Sequence, residues 1–310
     1  MQYDGTSRSD AAMGGKSSAT SGGRSCVGRS CGDLEMHRSG SITGASASME
    51  SNGGGRYGSA GTFFSLHQIA CIAADCFRAI SHIHSIRLIH TDLKPENILL
   101  KEPIENGGPF PSNPKVVLID FGGATWQHEH HSSVVCTRQY RPPEVILGLP
   151  WSYPVDIWGM GCMLAELWTG GLLFSTHDEI EHLALMERTL GALPRVMLRS
   201  ATCKRADRNF RHGYLRWPER AINRESEEHV RSQQRLRDAI GADPRGQPLS
   251  WTHELGEYHD LLLKLLEYSP EQRLTATAAL QHPFVLRTAQ RSFACDGSGR
   301  RSDSDLLHVQ

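Results

Sequence analysis

The sequence predicts an α+β fold, mainly α, and three observations carry that prediction. Apolar residues recur at three- and four-residue spacing through much of the second half of the 310-residue chain, two short apolar runs of strand length flank one polar segment, and the first 61 residues are nearly half Gly and Ser. Residues 1–61 hold too few apolar side chains to offset the entropy of ordering, which predicts a disordered arm. From there Leu66, Ile69, Ala73, Phe77, Ile80 and Ile83 form the stripe of an amphipathic helix. Leu88 and Ile89 lead into a polar stretch, His90 to Asn97, and then into Ile98, Leu99 and Leu100, a strand-length run. A turn segment rich in Gly, Pro and Asn, Glu105 to Pro114, separates this from a second run, Val116 to Ile119.

Beyond Glu144 the pattern is helical almost throughout: Val155 to Thr169, Ile180 to Leu190, Tyr258 to Tyr268 and Thr275 to Gln281. Prolines such as Pro194, Pro218, Pro270 and Pro283 stand between them, where helices must stop. Arg199 to Gln247 is strongly charged and weakly periodic, which predicts an irregular surface insertion, and residues 289–310 form a polar tail.

Charge and cysteine usage narrow the function classes. With 33 basic and 34 acidic side chains and a net charge of -1, no global positive field exists to hold nucleic acid or an anionic membrane. Direct nucleic-acid binding is therefore not expected. The 8 cysteines are scattered without a C-x-x-C pair, which fits reduced thiols in an intracellular chain better than a zinc or disulfide framework. No apolar run approaches the roughly 18 residues that span a bilayer, and Met1 to Lys16 has no signal-peptide core. No membrane partner is expected.

The chemistry sits in His90-Thr91-Asp92-Leu93-Lys94-Pro95-Glu96-Asn97, followed after the turn segment by Asp120-Phe121-Gly122. This pair resembles the catalytic loop and metal-binding triplet of protein kinases. Phosphoryl transfer needs a carboxylate to accept the substrate hydroxyl proton and oxygen ligands to hold magnesium on the phosphates of ATP. By the resemblance, Asp92 takes the proton, Lys94 steadies the transferring phosphate, Asn97 and Asp120 hold Mg and so the nucleotide, and His90 is a packed structural residue. Thr137-Arg138-Gln139-Tyr140-Arg141-Pro142-Pro143-Glu144 is similar to the end of a kinase activation segment, with Pro142 where alanine is usual. The resemblance implies that Thr137 braces Asp92, that Glu144 pairs with Arg273, and that Asp156 bonds the catalytic-loop backbone. His128, His130 and His131 have neither helical-pair nor zinc-finger spacing, so an activation-loop role is preferred to metal binding.

Glu181-His182-Leu183-Ala184-Leu185-Met186-Glu187-Arg188 resembles the signature of the LAMMER, or CDC-like, kinases, with Leu185 in place of methionine. Phe174 to Asp178, Leu190 to Pro194 and His128 to His131 also look like that family, so the similarity runs from about Thr62 to Val285. It implies a dual-specificity serine/threonine kinase acting in the nucleus on Arg/Ser-rich splicing factors, with Asp178, Glu179 and Glu181 as candidate counter-charges for substrate arginines. Thr91 stands where many kinases carry the arginine that meets a phosphorylated activation segment. Its presence implies activity without that phosphorylation.

Kinases also use a Gly-rich loop over the phosphates and a lysine on the third strand of an N-terminal lobe. Gly53-Gly54-Gly55-Arg56-Tyr57-Gly58 satisfies G-x-G-x-x-G inside a Gly/Ser tract without flanking strands, and no lysine lies between Lys16 and Lys94. The expectation is a protein-kinase-like C-lobe over residues 62–288 with the N-lobe β-sheet largely missing. Two readings follow: a LAMMER-type kinase present here as a fragment, or a pseudokinase or interaction module that binds partners without phosphorylating them.

Overall fold

The computed structural model describes residues 64–102, 110–203, 206–243 and 245–287. The expected arm, residues 1–61, and the tail, residues 289–310, lie outside the described residues, as does the first half of the 105–114 turn segment.

Helix α1 (Leu66–Ser85) begins at Ser65, whose hydroxyl accepts from the Gln68 N–H at 3.2 Å while Gln68 Oε1 accepts from the Ser65 N–H at 2.8 Å. This capping box satisfies two otherwise orphaned donors. The stripe read from the sequence faces inward, with Ile69, Ala73, Phe77, Ile80 and Ile83 buried. Four short strands follow: β1 (Leu88–Ile89), β2 (Ile98–Leu100), β3 (Val116–Leu118) and β4 (Thr125–Trp126). The two apolar runs pair antiparallel as β2 and β3, with Ile98 opposite Leu118 and Leu100 opposite Val116. Strands β1 and β4 pair as well, Ile89 opposite Thr125, a two-residue ladder too short to show alternation in sequence.

The remainder contains α2 (Pro143–Ile146), α3 (Pro154–Thr169), α4 (Glu179–Leu190), α5 (Arg195–Arg199), α6 (Ala206–Asn209), the hairpin β5 (Phe210–Arg211) and β6 (Tyr214–Leu215), α7 (Arg224–Ser232), α8 (Leu236–Ile240), α9 (His253–Leu265) and α10 (Ala276–Ala279). Helix α3 is the centre of the core. It starts on Pro154, ends on the left-handed Gly170, and packs against α1, α8 and α9. Every residue from Val155 to Leu167 is buried, including Asp156 and Glu166, so its apolar face wraps all round. Gly161 lets α9 approach: a Cβ there would meet Leu266 Cδ2 at 2.8 Å.

Two expectations need correction. Residues 199–247 are not irregular, because α6, the β5–β6 hairpin, α7 and α8 occupy them and bury Phe210, Val230, Leu236 and Ile240. Elements of two to nine residues carry too few turns or alternations to show a period. Helix α9 starts five residues before Tyr258, where the Thr252 hydroxyl accepts from the Leu255 N–H at 3.1 Å and fixes the first turn. No described helix is long and apolar enough to cross a membrane, and the described cysteines are free thiols.

Candidate active site

The polar stretch between β1 and β2 is held from beneath by one buried carboxylate. Asp156, in the first turn of α3 and 1% exposed, accepts the N–H of His90 at 2.9 Å and that of Thr91 at 2.8 Å. His84, in the last turn of α1, sets its Nε2 2.9 Å from the same carboxylate. The loop, α1 and α3 are thus fixed at one point. Thr91 needs that support, because its φ of +73° is left-handed and costs a β-branched residue roughly 1–2 kcal/mol. Its hydroxyl donates to the Gly123 carbonyl at 2.9 Å, tying the loop to the turn that follows Asp120. His90 is fully buried with its Nε2 3.0 Å from the Ile119 carbonyl, which makes that nitrogen the donor and leaves Nδ1 to accept from the Asp92 N–H at 3.3 Å. It is a packed histidine.

Asp92 is held chiefly by Thr137 and Lys94, with Asn97 Nδ2 farther off at 3.5 Å from its Oδ2. Its Oδ1 accepts from the Thr137 hydroxyl at 2.6 Å and the Thr137 N–H at 3.1 Å, and its Oδ2 accepts from Lys94 Nζ at 2.6 Å. Lys94 also donates to the Thr137 hydroxyl oxygen at 3.2 Å, which closes a triangle of three side chains. Burial alone would raise the Asp92 carboxyl, but the bonds from Lys94 and Thr137 outweigh it and hold the group below the usual aspartate range. The side chain of Asp92 retains 27% exposure, so the carboxylate is fixed yet reachable.

The β2–β3 register brings the second acidic residue to the first. The Ile119 N–H donates to the Asn97 carbonyl at 2.9 Å, extending the ladder by one step and placing Asp120 just beyond Asn97. Asn97 is buried, and its Nδ2 donates to the Asp92 carbonyl at 2.8 Å, which leaves Oδ1 without a donor among the described residues. Asp120, at φ +64°, is exposed and among the described residues accepts only a long bond from the Gly122 N–H at 3.3 Å. Asp92 and Asp120 line one cavity of about 400 Å³, with Thr91, Gly123 and Cys136. The Asn97 amide oxygen and the Asp120 carboxylate are hard oxygen donors, the chemistry that suits magnesium rather than a soft metal.

Among the described residues, no group of three His, Cys, Asp or Glu side chains could hold a metal ion. His131 stacks on Trp151 with ring centroids 4.2 Å apart and places Nδ1 3.0 Å from the Trp151 carbonyl, while His130 lines the cleft. Glu144 and Arg273 form a bidentate pair at 2.7 and 3.0 Å, both buried. Glu181, read from the sequence as a counter-charge for substrate arginines, is buried and accepts from the Thr176 hydroxyl at 2.8 Å and from the Ser226 hydroxyl. Asp178 is engaged as the α4 cap, accepting from the N–H groups of Ile180 and Glu181, which leaves Glu179 as the exposed acid of the three. Two further contacts had no signal in the sequence: His84 with Asp156, and the Tyr140 hydroxyl with Glu166 Oε2 at 2.5 Å.

The family model described as protein kinase domain matches residues 48–285. Among curated proteins, the serine/threonine-protein kinase AFC1 of Arabidopsis thaliana is 41% identical over 247 residues, which cover 74% of this chain and 51% of that protein. The dual specificity protein kinase CLK2 of Homo sapiens is 42% identical over 236 residues, covering 72% of this chain and 44% of that one. The chain therefore spans about half the length of the curated relatives it matches. A crystal structure of a kinase domain aligns with a TM-score of 0.62 at 33% identity, covering 72% of this chain and 67% of the other. With the loop, triplet and braces in this arrangement, the chain belongs to the protein kinase family and, within it, to the LAMMER or CDC-like kinases.

Proposed function

We propose that this cleft transfers the γ-phosphoryl group of ATP to serine or threonine hydroxyls of proteins, with dual specificity, and that its substrates are Arg/Ser-rich splicing factors in the nucleus. The observation that carries the reading is the Asp92 carboxylate, fixed by Thr137 and Lys94 and facing the same cavity as Asp120. Asp92 takes the proton of the attacking hydroxyl while that oxygen bonds to phosphorus and the bond to the leaving phosphate oxygen breaks. Lys94 places a positive charge beside the transferring group, and Thr137 keeps the carboxylate from rotating away. Asn97 Oδ1 and Asp120 would hold magnesium, which when bound neutralises charge on the phosphates.

The chain carries no lysine between Lys16 and Lys94, so the ATP-anchoring lysine of kinases has no counterpart in the sequence between them. We infer that this polypeptide alone binds ATP weakly, because that lysine anchors the phosphates, and transfers phosphate slowly, because positioning is worth on the order of 7–11 kcal/mol to such a transfer. The same observation supports the second reading, a module that binds partners without phosphorylating them.

The test is incorporation of labelled phosphate into an Arg/Ser peptide by the 310-residue chain and by Asp92→Asn. A rate far below the ordinary kinase range of about 1–100 per second is expected for the 310-residue chain. A rate of about 1 per second, abolished by Asp92→Asn, would overturn the claim of weakness. Asp92-dependent transfer gained on adding a Gly-rich lobe upstream supports the kinase reading, and its absence selects the interaction module. Preference for acidic over Arg/Ser peptides would remove the substrate assignment.

A further inference from the structure

The charge of this chain is balanced overall and segregated locally. Residues 195–220 hold eight basic side chains and two acidic ones, within totals of 33 and 34. The fold gathers six of those arginines around the β5–β6 hairpin. Arg195 lays its guanidinium 4.2 Å from the centroid of the Tyr214 ring and donates from Nη2 to the His212 carbonyl at 3.1 Å. Arg199 lies against the turn residue Gly213, where a Cβ would meet its Nε at 3.0 Å. At the open end of the hairpin, just before β5 and just after β6, Arg216 Nη1 and Arg220 Nε both donate to the single carbonyl of Arg208, at 3.3 and 3.2 Å. Arg211 stands exposed on β5.

None of these six forms an ion pair with a described carboxylate. Several other cations on the described surface do have partners: Arg78 with Asp75, Arg224 and Arg231 with Glu228, Lys264 with Asp260. Unpaired ones such as Arg87 and Lys115 are not gathered around one hairpin. Each guanidinium offers five N–H donors, so one main-chain carbonyl leaves most of them open, and the clustered like charges repel until an anion neutralises them. Tyr214 adds an aromatic surface. It is 56% exposed with Arg195 on one face, which leaves the other face open.

We propose that the β5–β6 hairpin and its flanking arginines bind single-stranded nucleic acid, with guanidinium groups on backbone phosphates and the open face of Tyr214 stacked on a base. Open cations beside an aromatic ring are the pairing that single-strand binding uses, and the stacking tolerates any base. A phosphoserine-rich protein segment could meet the same charges but gives the Tyr214 ring nothing to stack on. The whole-chain balance of charge hides this surface, which is why composition argued against a nucleic-acid partner. The proposal stands independently of whether the cleft transfers phosphate.

The test is fluorescence anisotropy of a labelled 20-nucleotide oligouridine RNA with the full 310-residue chain. Neutralising about five phosphates should weaken binding roughly 100-fold between 50 and 200 mM NaCl, from a slope of about 0.7 per phosphate in a single strand. Replacing Arg208, Arg211 and Arg216 together by Ala should weaken binding at least about 10-fold at 50 mM and lower the slope by about two. Tyr214→Ala should weaken it about 5-fold or more, with Tyr214→Phe close to the parent. Replacing the ion-paired Arg78, Arg224 and Arg231 by Ala removes the same charge and should change affinity by less than about 3-fold. Equal losses from the two triple variants, full affinity in Tyr214→Ala, no binding at 50 mM, or tighter binding of a phosphoserine-rich peptide that ignores Tyr214 would each overturn the proposal.

Discussion

The catalytic loop with its braces and the arginine-rich hairpin place polar side chains under opposite conditions. Around the loop, Asp156 meets His84 and two backbone N–H groups, Glu144 meets Arg273, and Asp92 meets Thr137 and Lys94. Around the hairpin, Arg208, Arg211 and their neighbours meet solvent and a few main-chain carbonyls. The first arrangement fixes geometry because a buried polar group that loses its partner is expensive. The second leaves charge available because no described partner has claimed it. Substitutions should therefore cost stability in the first region and binding in the second.

The largest effect should come from the pair that ties α2 to the turn before α10. Arg273→Ala leaves the Glu144 carboxylate buried without its bidentate partner and should cost about 3–5 kcal/mol in urea unfolding. Replacing the pair with apolar residues of similar volume, Glu144→Leu with Arg273→Met, should recover much of that loss. A single-variant cost below about 1 kcal/mol would erase the contrast between the two regions.

His182, with Trp158, is an exception within the buried region, since its Nε2 has no hydrogen-bond partner among the described residues although it is 1% exposed. Burial, with Arg141 and Arg138 nearby, pushes its pKa down to about 3. The folded state then binds fewer protons than the unfolded state between about pH 3 and 6.5, so stability falls as the medium is acidified through that window. From pH 7 to pH 5 the loss attributable to His182 should be about 2 kcal/mol, and His182→Leu should flatten that part of the stability curve. An unchanged slope in the variant would show that this histidine is protonated in the fold.

A smaller effect is expected at Thr137. Thr137→Val removes the hydroxyl bond to Asp92 and should cost about 1 kcal/mol at pH 7, discounted because the carboxylate is part exposed. The folded Asp92 carboxyl lies below its unfolded value, so this contribution is present above the unfolded value and is lost as pH falls through the folded one. Parent and variant should therefore converge in acid. A cost that persists unchanged in acid would mean that Thr137 acts through something other than the Asp92 carboxylate.

Legibility in the sequence follows the same division. The β2 and β3 runs and helices α1, α3 and α4 were readable because each carries enough apolar positions to show a period. Asp92, Lys94, Asn97 and Asp120 were readable as motif neighbours, and the structure brings Asp92 and Asp120 to one cavity. His84 with Asp156, and Tyr140 with Glu166, were not, because residues 72 and 26 positions apart leave no local pattern. Glu181 was misassigned for a related reason: its charge suggested the surface, while Thr176 and Ser226 satisfy it inside. The hairpin region was missed twice, as structure because its elements are short and as charge because whole-chain totals cancel.

The smallest stability effect is the one that most directly separates the two regions. The Arg208 and Arg211 side chains are exposed and unpaired, so replacing both by Ala removes no packed surface and no ion pair. The expected change is within about 0.5 kcal/mol. Its sign carries information: if the arginines repel one another, the double variant should be slightly more stable than the parent at 10 mM salt, where the Debye length is about 30 Å. Raising salt to 150 mM shortens that length to about 8 Å and should remove the difference. Urea unfolding of the two proteins at both salt concentrations measures this. A loss of more than about 1 kcal/mol that does not respond to salt would mean that the two arginines hold the hairpin together, and that the division drawn between the regions is wrong.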